Sequence, residues 1–131
     1  MDTKKKIMII DDDNFLLDMY AFKFNQSNFD VITALGPQEA LEKLHLGTTP
    51  DIILLDIVMP IMDGFELLEK INEEKLAPLS IRIIFSNRGQ SSDIARGDSL
   101  GAAGYIVKAS STPSDVIDKV NSIINNIQTK S

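Results

Sequence analysis

Several short apolar runs of this 131-residue chain end on residues that could do chemistry. Asp11 and Asp12 follow the first run, Asp56 follows a later one, Ser86 the next and Lys108 the last. If these runs are parallel strands, their carboxyl ends lie along one edge of a sheet, where open α/β sheets bind ligands. Residues far apart in the sequence would then share one site.

The residue types at this edge indicate a metal-assisted reaction of phosphate. Three carboxylates placed together repel one another unless a cation lies among them, and oxygen ligands of high charge suit Mg²⁺. A bound Mg²⁺ favours a phosphate substrate because it bridges phosphate oxygens. Lys108 offers a positive charge to such an oxygen, and Ser86 offers a hydroxyl donor. Asp56 is then either a further metal ligand or a nucleophile that accepts a phosphoryl group.

The elements that would position these residues alternate between strand and helix. The continuous apolar run before Asp56 suits a strand that is buried on both faces. Alternation of this kind predicts an α/β fold, a parallel sheet with helices on both faces. The predicted strands are 6–10, 29–34, 51–55, 81–85 and 105–107; the predicted helices are 15–26, 37–46, 65–74, 91–100 and one from 113 to about 127.

Local signals support several helix boundaries. Asp13 or Asn14 could cap the first helix, and Thr112 followed by Pro113 is a good start for the last one. The first helix carries more apolar residues than one buried stripe needs, so we expect a surplus that could form a patch for a partner. The predicted helix at 91–100 has few apolar anchors and is expected to be weakly held.

The composition narrows the class of protein. Hydrophobic content of 44% and charged content of 24% are those of an ordinary soluble globular domain. A net charge of −6 argues against non-specific binding of nucleic acid. The absence of cysteine excludes a disulfide framework and a thiol nucleophile. No stretch approaches the length of a membrane span, so we predict a cytoplasmic domain without membrane contact.

The motifs, taken together, resemble the receiver domain of two-component response regulators from residue 6 to about 127. The matching segments are Ile-Ile-Asp-Asp-Asp at 9–13, Leu-Leu-Asp-Ile-Val-Met-Pro at 54–60, Met-Asp-Gly-Phe-Glu-Leu at 62–67, Ser86, Gly-Ala at 101–102, and Tyr105 three residues before Lys108. The resemblance implies a flavodoxin-like (βα)5 doubly wound sheet of five parallel strands in the order 2-1-3-4-5. It also implies a single receiver domain over residues 1–131, with a core at about 6–127. No output domain is expected within these residues, so the chain would be either a stand-alone receiver or a fragment of a longer protein.

The resemblance assigns roles to the acidic residues. Asp11, Asp12 and Asp56 would bind Mg²⁺ directly or through water, and the backbone carbonyl of Val58 would add a ligand. Asp56 would be phosphorylated by a partner histidine kinase or histidine phosphotransfer protein. Such a domain is not an enzyme, beyond catalysing its own phosphorylation and dephosphorylation.

The remaining roles concern the response to phosphorylation. Ser86 and Lys108 would contact the phosphoryl oxygens, and Tyr105 would swing inward when Ser86 moves toward the phosphate. The face formed by the fourth helix, fifth strand and fifth helix would then change. That face would bind a downstream protein target or a second copy of the chain, without direct contact to nucleic acid.

The chain departs from the family pattern around the lysine and the serine. Ala109 replaces a proline that usually follows Lys108 with a cis bond, so this bond could be trans, with Lys108 aimed differently. Asn87 replaces a small residue and could either narrow access to Asp56 or donate a hydrogen bond to the phosphoryl group. Val58 and Arg88 occupy positions that modulate loss of the phosphoryl group in this family. Because an apolar Val58 cannot orient a water molecule, we predict slow self-dephosphorylation.

Two other functions are compatible with parts of the pattern. A receiver-like module could act by binding alone, without phosphorylation, since Asn87 and Ala109 depart from the family. A small phosphatase resembling the haloacid dehalogenase class would use Asp11 and Asp13 as its nucleophile motif. That class needs a further pair of acids after the lysine, where only Asp115 is near.

Overall fold

The fold is built on a five-stranded parallel sheet. The computed structural model describes residues 4–130, with side chains as far as residue 127. The strands, in chain order, are β1 (Lys5–Asp11), β2 (Phe29–Leu35), β3 (Ile52–Leu55), β4 (Ile81–Ser86) and β5 (Gly104–Val107). Their spatial order is β2-β1-β3-β4-β5, and every neighbouring pair is parallel. The predicted fold class and strand order are confirmed.

The central strands are buried on both faces. In β3 all four residues are fully buried, and consecutive side chains point to opposite sides of the sheet. Ile52 and Leu54 therefore join one apolar cluster, and Ile53 and Leu55 join the other. The continuous apolar run before Asp56 thus packs into both apolar clusters. For this reason apolar and polar residues do not alternate along β3.

The helices cover both faces. Residues of α1 and α5 pack in the first apolar cluster, and those of α2 and α3 pack in the second. None of the described helices is long and apolar enough to cross a membrane. The helices are α1 (Asn14–Gln26), α2 (Gly36–His45), α3 (Gly64–Glu73), α4 (Ser91–Ser99) and α5 (Pro113–Lys130).

Side-chain caps fix where three helices begin. Asp13 accepts hydrogen bonds from the first amides of α1, as the sequence predicts. Asp63 and Glu66 form a reciprocal capping box at α3. Thr112 and Asp115 form a reciprocal pair of the same kind at α5. The Thr112 amide donates to Asp115 Oδ2 at 3.0 Å, and the Asp115 amide donates to Thr112 Oγ1 at 3.2 Å. Each cap satisfies amides that the helix leaves without partners.

The apolar surplus of α1 lies on its outer surface. Leu17, Tyr20 and Phe24 are buried against the sheet. Phe15 and Phe22 are instead 77% and 60% exposed. The expected surplus of apolar residues, beyond those of one buried stripe, is confirmed, and these residues lie on the outer surface of α1.

Helix α4 has the weakest apolar attachment. Its only buried residues are Asp93 and Gly97, and Ile94 is 44% exposed. The predicted shortage of apolar anchors in this segment is confirmed. The ion pairs of α4 run to the loop after β4 through Asp93 and Arg88, and to α3 through Arg96 and Glu69.

Candidate functional site

A cavity of about 330 Å³ opens at the carboxyl edge of the sheet. It brings together the ends of β1, β3, β4 and β5, as expected for a doubly wound sheet. Of the predicted site residues, only Tyr105 lies outside it. The lining residues are Asp11, Asp12, Asp13, Leu16, Asp56, Val58, Ser86, Asn87 and Lys108.

Asp56 is buried and held from several sides. Its backbone amide donates to the carbonyl of Ile10 at 3.0 Å, which fixes the end of β3 against β1. Its Oδ1 accepts from the backbone amides of Ile57 at 2.7 Å and Val58 at 3.3 Å. Its Oδ2 accepts from the Lys108 ammonium at 3.1 Å. The carboxylate is therefore oriented before any ligand arrives.

Lys108 reaches across the cavity to two carboxylates. Its Nζ lies 2.6 Å from Asp11 Oδ2 and 3.1 Å from Asp56 Oδ2, and its side chain is only 10% exposed. The ammonium also lies 5.2 Å from the centre of the Phe85 ring, within the range of a cation–π contact. One buried positive charge thus offsets two buried negative charges.

Burial and charge act in opposite directions on these groups. Burial raises the pKa of Asp11, and the hydrogen bond from Lys108 only partly offsets that rise. Burial alone would lower the pKa of Lys108, but the hydrogen bond to Asp11 and the negative charge of Asp56 outweigh it, so the pKa is raised. Lys108 is therefore a firmly charged ammonium at neutral pH.

The acidic residues fit a divalent cation. Carboxylate oxygens of Asp11, Asp12 and Asp56 lie within 4.8 Å of one another, and Asp12 is exposed at the cavity mouth. Hard oxygen donors that leave positions for water suit Mg²⁺, which takes few protein carboxylates. This acidic cluster could therefore hold a metal ion.

Val58 and Asn87 lie at the rim. Val58 is 55% exposed, and its backbone amide donates to Asp56 Oδ1. The role of its backbone carbonyl as a metal ligand stays a prediction. Asn87 is exposed at the mouth of the cavity. The apolar Val58 side chain itself cannot hold a water molecule over Asp56, whereas the Asn87 amide is a polar group at the same rim.

Ser86 and Tyr105 are linked through one residue of the loop after β4. Ser86 is fully buried, and its Oγ accepts from the backbone amide of Arg88 at 3.3 Å. The hydroxyl of half-buried Tyr105 donates to the backbone carbonyl of Arg88. Arg88 thus connects the serine in the cavity with the tyrosine outside it.

The turn after Lys108 is held without a proline. No peptide bond among residues 4–130 is cis, so the Lys108–Ala109 bond is trans. Residues Lys108–Ser110 form one turn of 3-10 helix. The hydroxyls of Ser110 and Ser111 donate to the Val107 carbonyl, at 3.3 and 3.0 Å. These bonds restrain the turn. Lys108 still points at Asp56, so the expectation that a trans bond would aim the lysine differently is wrong.

Sequence reasoning missed the contacts that three residues make around the site. Phe85 was predicted only as a strand residue, although its ring lies beneath Lys108 and packs edge-on against Tyr20 at 4.9 Å. Its position directly before Ser86 was the available signal. No sequence signal pointed to the link through Arg88, since it uses backbone atoms. Gly64 lies so close to the Asp56 carbonyl that an added Cβ would be 2.2 Å from it.

Comparison with known proteins decides the family. Residues 7–121 match the response regulator receiver domain family. The chain belongs to this family. The match begins within β1 and ends about halfway along α5, and it includes the four other strands and helices α1 to α4 in full. The resemblance inferred from the motifs is confirmed.

Relatives and solved structures agree with this assignment. The receiver domain is 32% identical over 121 residues to PhoP of Bacillus subtilis, an alkaline phosphatase synthesis transcriptional regulatory protein. That alignment covers 92% of this chain and 48% of PhoP, so the chain spans about half the length of the curated relatives it matches. A CheY-like receiver domain protein from Methanospirillum hungatei superposes with a TM-score of 0.84 at 26% identity, covering 98% of this chain and 99% of the other.

A further structure shares the fold at lower identity. A beryllofluoride-activated DrrB receiver domain superposes with a TM-score of 0.78 at 23% identity. The match covers 93% of this chain and 98% of DrrB. At that identity the likeness shows the fold alone.

Proposed function

We propose that this receiver domain accepts a phosphoryl group on Asp56 in a Mg²⁺-dependent reaction. The donor is a phosphohistidine of a histidine kinase or of a histidine phosphotransfer protein. A carboxylate oxygen of Asp56 attacks phosphorus, and the bond between phosphorus and the imidazole nitrogen breaks. The imidazole takes up a proton, and Asp56 is left as an acyl phosphate.

The cavity side chains assist this transfer in different ways. Lys108 donates to a phosphoryl oxygen and balances the charge that arrives with the phosphate. The Ser86 hydroxyl donates to a second phosphoryl oxygen. The two backbone amides on Asp56 Oδ1 hold the nucleophile in place, so little ordering remains for the moment of reaction.

Magnesium completes the site in this proposal. Asp11, Asp12 and Asp56 would hold it, with the Val58 carbonyl as a further ligand. When bound, it neutralises part of the phosphate charge and aligns the phosphoryl oxygens. The proximity of the three carboxylates supports this assignment.

The observation that carries the proposal is the position of Lys108 between two buried carboxylates. A phosphoacceptor site needs a nucleophilic carboxylate, acidic metal ligands and a cation for the phosphoryl oxygens, all in one solvent-open cavity. Lys108 contacts both Asp11 and Asp56 there. A module that only binds partners has no physical need to bury three charges together.

The phosphorylated state would be passed on by the face formed by α4, β5 and α5. Tyr105 lies on this face and its hydroxyl is tied to the loop that follows Ser86. Movement of that loop changes the environment of Tyr105, and with it the surface that a downstream protein or a second copy of the chain would contact. We place this domain in the cytoplasm, where its kinase partner would reach it.

Intact mass after incubation with Mg²⁺ and a small phosphodonor tests the proposal. The wild type should gain the mass of one phosphoryl group, and Asp56→Asn should gain none. Asp63→Asn is the matched control, because it makes the same chemical change at a helix cap on the following loop. The gain should disappear when EDTA removes the metal.

The possible results of this mass measurement distinguish the candidate functions. No gain in the wild type, or an equal gain in Asp56→Asn, contradicts the phosphoacceptor assignment. Absence of a mass gain in the wild type would favour a module that acts by binding alone. Turnover of an aryl phosphate without lasting mass gain would instead favour a phosphatase.

A further inference from the structure

Arg88 makes contacts in three directions from the loop after β4. Its backbone amide donates to Ser86 Oγ at 3.3 Å, and its backbone carbonyl accepts from the Tyr105 hydroxyl. Its guanidinium donates to Asp93 Oδ1 on α4 at 2.7 Å. One residue therefore touches the serine in the cavity, the tyrosine of β5 and the first turn of α4.

The contact with α4 matters because this helix has few other attachments, chiefly buried Gly97 and the contacts of Arg96 with α3. No apolar side chain of Ser91–Ser99 is buried. Asp93 is only 7% exposed, and besides Arg88 it accepts from the backbone amide of Gln90 at 3.3 Å. The ion pair with Arg88 is thus a principal attachment of the amino-terminal end of α4.

Phe65 of α3 provides a surface under the same loop. The Arg88 guanidinium lies 5.9 Å and that of Arg96 lies 4.5 Å from the centre of its ring. Arg96 also pairs with Glu69 at 3.4 Å. The region between α3 and α4 is therefore joined by arginine contacts more than by apolar side chains.

We propose that Arg88 is a positioning residue whose ion pair with Asp93 holds the loop 87–90 and α4 in the unphosphorylated arrangement. This inference rests on the proposed phosphorylation of Asp56. The pair would oppose the movement that phosphorylation demands, and its strength would set how readily the domain switches.

The opposition follows from the hydrogen bonds of Ser86. If the Ser86 side chain turns toward Asp56 to donate to a phosphoryl oxygen, its Oγ shifts relative to the Arg88 amide that donates to it. The Arg88 amide then loses its acceptor or follows it, and the Arg88 carbonyl moves relative to the Tyr105 hydroxyl. The side chain of Arg88 is tied to Asp93, so this movement strains or breaks the ion pair. Breaking the pair in advance would lower the cost of switching.

Beryllofluoride with Mg²⁺ is a suitable probe, because it imitates a phosphoryl group on a carboxylate. Its affinity can be measured by calorimetry on wild type, Arg88→Gln, Asp93→Asn and the double variant. Asp93→Asn keeps an oxygen for the Gln90 amide. Arg96→Gln is the matched control, since it removes the same charge near the same ring without touching the link between Ser86 and Tyr105.

The expected effect is modest, because the Arg88 side chain is half-exposed. Exposed pairs of this kind correspond to roughly twofold to fivefold in an equilibrium constant. Arg88→Gln and Asp93→Asn should each bind beryllofluoride about threefold more tightly than wild type, a change within that range. The double variant should gain no more than the tighter single variant, because both remove one interaction. Arg96→Gln should tighten binding less than Arg88→Gln, because its contacts to Glu69 and Phe65 lie outside the link between Ser86 and Tyr105.

Amide hydrogen exchange of the unliganded protein supplies a second measurement. Residues 91–99 should exchange faster in Arg88→Gln than in Arg96→Gln, and Arg88→Lys should lie between Arg88→Gln and wild type. A purely structural role for Arg88 would lower thermal stability without tightening beryllofluoride binding.

The two proposals fail in different ways. Absence of beryllofluoride binding in the wild type contradicts the phosphoacceptor function itself. Binding in the wild type that is unchanged or weakened in both Arg88→Gln and Asp93→Asn overturns the role of the ion pair and leaves the phosphoacceptor function standing.

Discussion

Replacement of Lys108 by methionine should destabilise the metal-free protein, although methionine is apolar and of similar length. The Lys108 ammonium is the positive charge that contacts both Asp11 and Asp56. Removing one member of a buried charged group leaves the others uncompensated, which is strongly unfavourable. The direction of the effect is therefore set by the carboxylates that remain.

The separation of those carboxylates sets the magnitude. Oxygens of Asp11 and Asp56 lie within 4.8 Å of each other. Two like charges at that distance repel by about 3.5 kcal/mol at an effective dielectric constant of about 20. Water at the open cavity mouth and uptake of a proton by one carboxylate reduce this cost. We expect the free energy of unfolding to fall by about 2–3 kcal/mol, or roughly 8–12 °C in Tm for a chain of this length.

Urea unfolding in EDTA at neutral pH measures this loss, and a Mg²⁺ titration of Tm tests its cause. Because Mg²⁺ can replace the missing positive charge, it should stabilise Lys108→Met more than wild type. Adding Asp11→Asn to Lys108→Met should recover about 1–2 kcal/mol by removing one of the repelling charges. Lys119→Met is the matched control, since that exposed lysine donates to the Ser111 hydroxyl and otherwise acts on the exposed carboxylate of Asp115, and it should cost under about 0.5 kcal/mol.

Lowering the pH should reduce the difference in the free energy of unfolding between Lys108→Met and wild type. Without Lys108, the pKa of Asp11 loses an interaction that now lowers it and so rises further above its ordinary value. A carboxyl whose pKa is raised by folding destabilises the native state when ionised, and the penalty disappears as pH falls through that pKa. Equal urea midpoints for Lys108→Met and wild type in EDTA, with equal responses to Mg²⁺, would refute the reasoning.

Three further predictions concern single positions. Gly64→Ala should cost about 2–4 kcal/mol in urea unfolding, because its Cβ would lie 2.2 Å from the Asp56 carbonyl oxygen, whereas Gly47→Ala, in open space at φ +97, should cost only about 1 kcal/mol. Asp115→Asn should be less stable than wild type near neutral pH. That gap should close in acid, because helix capping lowers the pKa of Asp115 and its contribution is lost as pH falls through that lowered value. Val58→Asn should shorten the phosphoryl lifetime by about tenfold or more by orienting a water molecule, as followed by mass; a wild-type lifetime of seconds would contradict the predicted slow loss.

Much of the fold could be predicted because each element carries its own signal. The four aliphatic residues before Asp56 require burial on both sides, and only a central strand between two helical layers supplies that. Asp13 and Thr112 mark helix starts through bonds to their own neighbours in the chain. Interactions over three or four residues are present in the sequence itself.

The sequence could predict which residues come together in the site. Parallel strands bring their carboxyl ends to one edge, so Asp11, Asp56, Ser86 and Lys108 had to lie near one another. The spacing could not show that the Lys108–Ala109 bond is trans while the ammonium still reaches both carboxylates. That outcome depends on the serine hydroxyls that hold the turn at Val107.

The sequence by itself determined the alternation of strands and helices, the order of polar residues at strand ends and hence the family. Those properties depend on local propensity and on a topology that alternating elements nearly dictate. Only the tertiary structure decided how Arg88 joins Ser86, Tyr105 and Asp93. Two of these contacts use backbone atoms, which every residue possesses, and the third depends on how α4 packs. No pattern of side-chain types could reveal them.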